Sequence, residues 1–153
     1  MKDITLFKKE NSIFLKVITK KNDLKKNDNF DGYLIKADEK IARSIIESIK
    51  QRDKTKIIAL QAGDDLFNRR AIETLKINYL VNVEVDPKRD TLKQRDSGIN
   101  HIVAKEAAIK KIVFVINMSK IESLIEKKQA KVLARIIQNI KICRKARAQI
   151  KLA

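Results

Sequence analysis

Short, continuous apolar runs alternate with segments of helical periodicity along this chain, and this alternation restricts the fold more than any other feature. The runs are apolar at successive positions rather than at every second position, so both faces of each strand are expected to be covered. Strands of that kind belong in a parallel sheet with helices packed against it. Buried strands are predicted at 32–37, 56–62, 79–85 and 112–118.

The segments between these strands predict helices, and further strands lie near the ends. No glycine-rich phosphate loop follows any strand, so a β/α barrel fits better than a dinucleotide-binding fold. We predict an α/β fold, a β/α barrel or part of one, in a single domain spanning residues 1–153. The other predicted elements are strands at 4–9, 12–19 and 149–152, helices at 38–52, 65–76, 100–111 and 129–147, a turn at 9–11, a loop at 20–30 and a polar segment at 119–128.

The charge balance narrows the choice of partner. The chain has 35 Lys and Arg against 19 Asp and Glu, a net charge of +16. Such an excess indicates a polyanion, with nucleic acid favoured over an anionic membrane surface. The single cysteine, Cys143, cannot form an intrachain disulfide, which fits a reducing, cytoplasmic location. No apolar run reaches the length of about 20 residues that spans a bilayer, so no membrane segment is predicted.

The last predicted helix, 129–147, carries six cations and no acid. At about 100° per residue, its cations and its apolar residues are expected on opposite faces. Cations without anions repel one another, so contact with a polyanion is favoured over an ordinary solvated face, and Ile142 within the basic face hints at a protein contact. The basic face is predicted to hold Lys131, Arg135, Lys141 and Lys145, and the apolar stripe Leu133, Ile136, Ile137 and Ile140.

A basic loop, 86–98, joins a predicted strand to a predicted helix. A loop after a parallel strand lies on the functional face of a β/α barrel, and a helix start favours phosphate. Asp96, Gly98, Asn100 and His101 link this loop to the helix, with Asp96, Ser97 and Asn100 as candidate N-caps. The cations of the loop are Lys88, Arg89, Lys93 and Arg95, against three acids.

Three features could carry chemistry, and each has a plainer interpretation. His101 could be a general base or a metal ligand, but one histidine and one cysteine do not form a metal cluster, so a helix-start residue bonded to the preceding loop is favoured. Asp64 and Asp65 could be an acid/base pair, but an N-cap followed by a first-turn acid is favoured. Cys143 is expected in the core. We therefore predict no catalytic residues and no metal site.

Two stretches resemble a known family. Residues 95–107, with the sequence RDSGINHIVAKEA, resemble the signature of the ribonuclease P protein component 3 family, the thirty-kilodalton subunit of archaea and eukaryotes. Residues 130–145 resemble the late helix of that family, and the strand 114–117 lies between the two stretches, as it does in the family. The resemblance covers about residues 31–153, whereas residues 1–30 match poorly.

The resemblance implies a TIM-barrel-like (β/α) fold. It also implies membership of the ribonuclease P ribonucleoprotein, which removes 5′ leaders from precursor tRNA. In that enzyme the RNA is the catalyst and carries the Mg²⁺, so the protein itself is expected to bind no cofactor. The expected partners are the ribonuclease P RNA, precursor tRNA, protein component 2 and other ribonuclease P proteins. The expected RNA contacts are Lys88, Arg89, Lys93, Arg95, Lys105, Lys131, Arg135, Lys141 and Lys145, with Asp96, Gly98, Asn100 and His101 as structural residues of the motif.

Two departures from the family pattern change these expectations. Met118, Ser119 and Lys120 stand where the family usually has an arginine followed by proline or an acid, so the arginine that could contact RNA there is absent. The chain ends within or just after the seventh expected strand, so an incomplete barrel of six or seven mostly parallel strands is expected, without the last strand. Unpaired strand edges invite association, so stabilisation by component 2, by RNA or by a second copy is predicted.

Two other functions stay open on the sequence. A metal-dependent phosphoesterase on a β/α barrel would need several metal ligands, and a tightly bound metal found by elemental analysis would support it. A doubly wound signalling domain conflicts with the net charge of +16, and binding to RNA at physiological salt would distinguish it.

Overall fold

The strands lie side by side in the same order as in the sequence, and all of them are parallel. In the computed structural model, which describes residues 3–5, 12–24, 29–85 and 96–153, β2 to β7 form one continuous sheet, and β1 pairs with β2. The strands are β1 (Asp3–Thr5), β2 (Ser12–Ile18), β3 (Gly32–Ile35), β4 (Ile57–Gln61), β5 (Tyr79–Val81), β6 (Val113–Ile116) and β7 (Gln149–Leu152).

Helices connect the strands from β3 onward. The first two begin after aspartate caps: Asp38 accepts a hydrogen bond from the backbone N–H of Ile41, and Asp64 accepts one from Phe67. These bonds satisfy backbone donors that a helix start otherwise leaves free, as the sequence predicted. The helices are α1 (Glu39–Arg52), α2 (Asp65–Thr74), α3 (His101–Ile109), α4 (Met118–Glu122) and α5 (Glu126–Ala146).

The main core lies between the helices and one face of the sheet. There, Ile35, Leu60 and Phe114 of the strands meet Ile45 of α1 and Ile72 of α2, all fully buried. The opposite face, which would be the interior of a closed barrel, carries a smaller apolar cluster. That cluster contains Leu15, Leu34, Ala59, Val81, Val113 and Val115.

The sheet is not closed. β1 and β7 lie at its two edges, and among the described strands no pairing joins one edge to the other. Parallel strands in sequential order, with a helix after most of them, are the arrangement of a β/α barrel. The predicted α/β fold, an incomplete TIM-barrel-like sheet, is therefore confirmed.

The strand predicted at 79–85 is too long. It ends at Val81 because Asn82 adopts the left-handed conformation, with φ of +62°. Such a residue turns the backbone out of the sheet, and Val83–Val85 follow as a 3-10 turn. The prediction therefore put Glu84 in a strand, whereas the structure places it in this 3-10 turn, just before the predicted basic loop.

Other local predictions also need correction. The turn predicted at 9–11 lies outside the described residues, but β1 and β2 are parallel, and a tight hairpin turn joins only antiparallel strands. The predicted loop at 20–30 contains a 3-10 turn, Lys21–Asp23. The polar segment at 119–128 includes most of α4, which starts because Asn117 accepts a hydrogen bond from the N–H of Lys120.

Candidate nucleic-acid interface

The basic loop predicted at 86–98 is held at both ends by side chains of α5. Before the loop, Nη1 of Arg135 donates to the carbonyl oxygen of Glu84 over 3.2 Å. After it, Nδ2 of Asn139 donates to the carbonyl oxygen of Ser97 over 2.9 Å. Both donors are buried, so α5 fixes the backbone at Glu84 and at Ser97. Those cations, Lys88, Arg89, Lys93 and Arg95, lie outside the described residues.

The backbone conformation at position 98 of the motif requires a glycine. Gly98 has φ of +83°, and a Cβ atom added there would overlap the carbonyl group of Val83. Its N–H donates to the side chain of Asp96 over 3.2 Å, and its carbonyl oxygen accepts from Nδ2 of Asn68, a fully buried residue of α2. Gly98 therefore lets the end of the loop lie directly against the 3-10 turn that precedes it.

Replacing Gly98 with alanine is expected to lower the free energy of unfolding by about 2 kcal/mol, because a side chain in the left-handed region is strained and the Val83 carbonyl must move. The measurement is urea unfolding followed by circular dichroism. Gly63→Ala is the control, since a Cβ at that position meets only the movable ring of Phe67 at 3.0 Å. Equal midpoints for the two variants would show that Gly98 is not needed for the backbone.

The start of α3 is capped by Asn100. Its side-chain oxygen accepts hydrogen bonds from the N–H groups of Ile102 and Val103, each over 3.0 Å, which confirms one of the predicted N-cap candidates. His101 is the first residue of α3 and is exposed. The predicted bond from His101 to the preceding loop is not formed with any residue that the structure describes. Asn100 and Asp96 make the contacts that organise this segment.

The surface of α5 divides into three stripes about 120° apart around the helix. The buried stripe contains Val132, Ile136, Asn139 and Cys143, and burial raises the pKa of the Cys143 thiol to about 11. The core position predicted for Cys143 is confirmed. The second stripe, which we call the basic stripe, is exposed and contains Lys127, Lys131, Lys141 and Lys145.

The placement of Arg135 on the exposed basic face is wrong. Its side chain is only 5% exposed and holds the base of the loop, so it is not available on the surface for a phosphate. Leu133 and Ile137, predicted in the buried stripe, are instead 43% and 57% exposed. Both errors have one cause: the helix turns Arg135 and Asn139 towards the two ends of the loop, which moves Leu133 and Ile137 out into solvent.

The structure brings one predicted cation together with the motif. A groove of about 720 Å³ lies between α2, the start of α3 and α5, and Lys145 lines it opposite Asp96, Gly98, Asn100 and His101. Lys131 and Lys141 lie on the same helix but outside the lining of this groove, and Lys105 is exposed on α3. Of the predicted contacts on α3 and α5, Lys145 therefore lies beside the motif, whereas Lys105, Lys131 and Lys141 are exposed outside the groove and Arg135 is buried.

Side-chain amides connect the carboxyl ends of the central strands, and this connection was not predicted from the sequence. Nδ2 of Asn82 donates to Oε1 of Gln61 over 3.1 Å, and Oδ1 of Asn82 accepts from the N–H of Asn117 over 3.2 Å. A cavity of about 480 Å³ at this edge also contains Lys36 and Lys120. The sequence did contain a signal that could have predicted it: Asn82 directly follows the apolar run of β5, and Asn117 directly follows that of β6.

Glu84 is a buried carboxylate beside this edge. Its side chain is 0% exposed, and neither carboxylate oxygen makes a hydrogen bond to any described residue. Burial raises the pKa of Glu84 to about 7, against the weaker opposing effects of its own backbone N–H and of Lys120. The carboxyl group is therefore half neutral near pH 7, a property that no pattern in the sequence predicts.

A second basic groove was not predicted either. At the amino ends of the strands, a groove of about 700 Å³ is lined by Lys50, Lys54, Lys76 and Lys110. Two of these ammonium groups are occupied: Lys50 donates to the carbonyl oxygens of Lys54 and Lys56, and Lys110 donates to those of Ile72 and Glu73. This groove therefore offers fewer free cations than the basic stripe.

Two kinds of feature are absent from the described residues. Across 12–24, 29–85 and 96–153, His, Cys, Asp and Glu side chains form no group of three or more that could hold a metal ion. Within the same part of the chain, no helix has the length and apolar character needed to cross a membrane.

Comparisons with known proteins bear on the fold. No protein-family model and no curated protein matches the chain. The chain is similar to one in a cryo-EM structure of archaeal ribonuclease P with mature tRNA, with 22% identity and a TM-score of 0.59 over 79% of this chain and 50% of that one. It is also similar to a crystal structure of an uncharacterized protein, with 10% identity and a TM-score of 0.56 over 82% of this chain and 34% of that one. The chain thus spans half or less of these proteins, with which it shares the fold.

Proposed function

We propose that this chain is an RNA-binding protein subunit of ribonuclease P that supports the catalytic RNA in removing 5′ leaders from precursor tRNA. The observation that carries the proposal is the basic stripe of α5, which lies next to the helix side chains that hold the basic loop. The similarity to a chain of archaeal ribonuclease P in complex with mature tRNA supports the same assignment. The motif at 95–107 further favours component 3 as the subunit.

The expected binding mode is electrostatic. From Asp96 to Ala153 the chain has thirteen Lys and Arg but only four Asp and Glu, so this part of the protein has too few anions to neutralise its cations. Cations that contact phosphates release condensed counterions, which makes such binding strongly dependent on salt. Lys105, Lys131, Lys141 and Lys145 are the described residues proposed to contact phosphates, and the loop would add Lys88, Arg89, Lys93 and Arg95.

In this role the protein supplies no catalytic group. The RNA would carry both the Mg²⁺ and the chemistry, and the protein would neutralise phosphates and orient the RNA. Protein component 2 and precursor tRNA are the further partners proposed, in the cytoplasm. The alternative, a metal-dependent phosphoesterase, has no supporting ligand set among the described residues, and elemental analysis of the purified protein tests it directly.

The double variant Lys131→Glu and Lys145→Glu is expected to bind ribonuclease P RNA more weakly than the wild type. If both lysines contact phosphates, the slope of log K against log salt should fall by about 1.5 units, at 0.7 to 0.9 units per contact. The measurement is RNA affinity by filter binding at several salt concentrations. Processing of precursor tRNA by the reconstituted enzyme should fall in parallel.

A matched control separates local contacts from total charge. The variant Lys40→Glu and Arg52→Glu changes the net charge by the same amount on α1, where both side chains are exposed. It is expected to keep a salt slope close to that of the wild type. If both double variants lose affinity equally, the basic stripe has no special role and only net charge matters.

A further inference from the structure

The third stripe of α5 is mostly left uncovered by the described residues. Six residues follow one another along it at alternating intervals of four and three, the spacing at which two helices pack along a common seam. Leu133 and Ile137 at its centre are largely exposed, and only Ile140 is partly covered. We call this stripe the seam; it contains Glu126, Ala130, Leu133, Ile137, Ile140 and Arg144.

The seam is complementary to itself when two copies run antiparallel. With Leu133 of one copy opposite Ile137 of the other, the same alignment sets Ala130 opposite Ile140, and Glu126 opposite Arg144. Each contact then occurs twice, as a twofold axis requires. We propose that this protein forms a homodimer in which the two α5 helices pack antiparallel along the seam.

The charges at the ends of the seam support this alignment. Glu126 is the only acid in α5, and the alignment places it opposite an arginine of the second copy. Neither Glu126 nor Arg144 forms an ion pair with another residue in the described part of the chain, and both are exposed. The basic stripe lies about 100° away around the helix, so the lysines of the two copies do not face each other.

The seam is also continuous with the open edge of the sheet. Ile140 packs in one apolar cluster with Ile150 of β7, and Leu152 at the end of that strand is 60% exposed. Among the described strands, β7 is hydrogen-bonded to β6 alone. A second copy on the seam would cover apolar surface that the monomer leaves in solvent.

The first test is the mass of the protein in solution, by analytical ultracentrifugation over a range of concentrations. The wild type is expected to sediment as a dimer that dissociates on dilution. Ile137→Glu should weaken the dimer about tenfold or more, because a charge replaces a central apolar contact. Ile109→Glu on α3, where the isoleucine is 75% exposed, is the control and should leave dimerisation unchanged. A wild type that stays monomeric at all concentrations would overturn the proposal.

A charge exchange tests the alignment itself. Glu126→Arg alone and Arg144→Glu alone each place like charges opposite one another in a homodimer, so each should be largely monomeric. Mixing the two variants should give a heterodimer, since the two cations of one chain then face the two acids of the other at both ends of the seam. Circular dichroism of each variant confirms that it is folded. Dimers that persist in both single variants, or a mixture that stays monomeric, would exclude this antiparallel seam. None of these measurements involves RNA, so the result is independent of the proposed function.

Discussion

The variant Arg135→Glu is expected to lose about 3–5 kcal/mol of unfolding free energy, the cost of leaving a charge buried without a partner. Arg135 is 5% exposed, and its guanidinium donates to the carbonyl oxygen of Glu84. Glutamate removes this donor, leaves a buried carbonyl without its bond and places a second carboxyl group near Glu84. Because small proteins are stable by only about 5–15 kcal/mol, the melting temperature should fall sharply.

The matched control is Lys131→Glu, one turn earlier on the same helix. Lys131 is exposed, so reversing its charge should change stability by about 0.5 kcal/mol or less. Arg135→Met separates charge from size: it keeps most of the volume and should cost about 1–3 kcal/mol for the unsatisfied carbonyl. Thermal and urea unfolding of the three variants give the comparison. Equal stability of Arg135→Glu and Lys131→Glu would place Arg135 in solvent, as the helical pattern alone predicted.

The fold could be predicted because it depends on features that repeat. Continuous apolar runs at 56–62 and 112–118 indicate strands covered on both faces, and each was found within a residue or two of its predicted position. Helix caps are local as well, so Asp38, Asp64 and Asn100 could be recognised from the residues alone. The length of β5 could not be predicted, since a single left-handed residue, Asn82, ended it.

The candidate site was harder to predict because it depends on the rotation of one helix. Periodicity shows that α5 has polar and apolar sides, but two apolar stripes are present, and the sequence does not show which one is buried. The tertiary hydrogen bonds of Arg135 and Asn139 decide the matter by turning these residues inward. Buried arginine side chains are rare, which favoured the prediction that Arg135 lies in solvent.

The helix α5 therefore has three surfaces with different proposed roles, and each role can be tested separately. Its buried side, with Arg135 and Asn139, holds the backbone at Glu84 and Ser97, its basic stripe faces solvent, and its seam is mostly exposed. A substitution in one stripe should leave the other two intact, because the stripes are about 120° apart. Stability, RNA affinity and dimerisation are the three corresponding measurements.

The variant Glu84→Gln is expected to stabilise the protein above pH 7 by up to about 3 kcal/mol, from 1.36 kcal/mol per pKa unit. The carboxyl group of Glu84 is buried without a hydrogen bond to the described residues, and its pKa is raised from 4.5 to about 7. At pH values between 4.5 and about 7, the folded state binds more protons than the unfolded state, so the free energy of unfolding falls as the pH rises. Above pH 7 the carboxylate is charged in both states, and the cost of burying it is complete.

Glutamine keeps the shape of the side chain but has no charge, so the variant should lose this part of the pH dependence. The two proteins should be nearly equal in stability at about pH 4.5, where the wild-type carboxyl is protonated in the folded state, and should diverge as pH rises towards about 8. Urea unfolding at half-unit pH steps gives both curves, and Glu73→Gln, an exposed residue of α2, is the control. A Glu84→Gln variant that is less stable than the wild type at about pH 8 would show that Glu84 is ionised in the folded protein and paired with a cation.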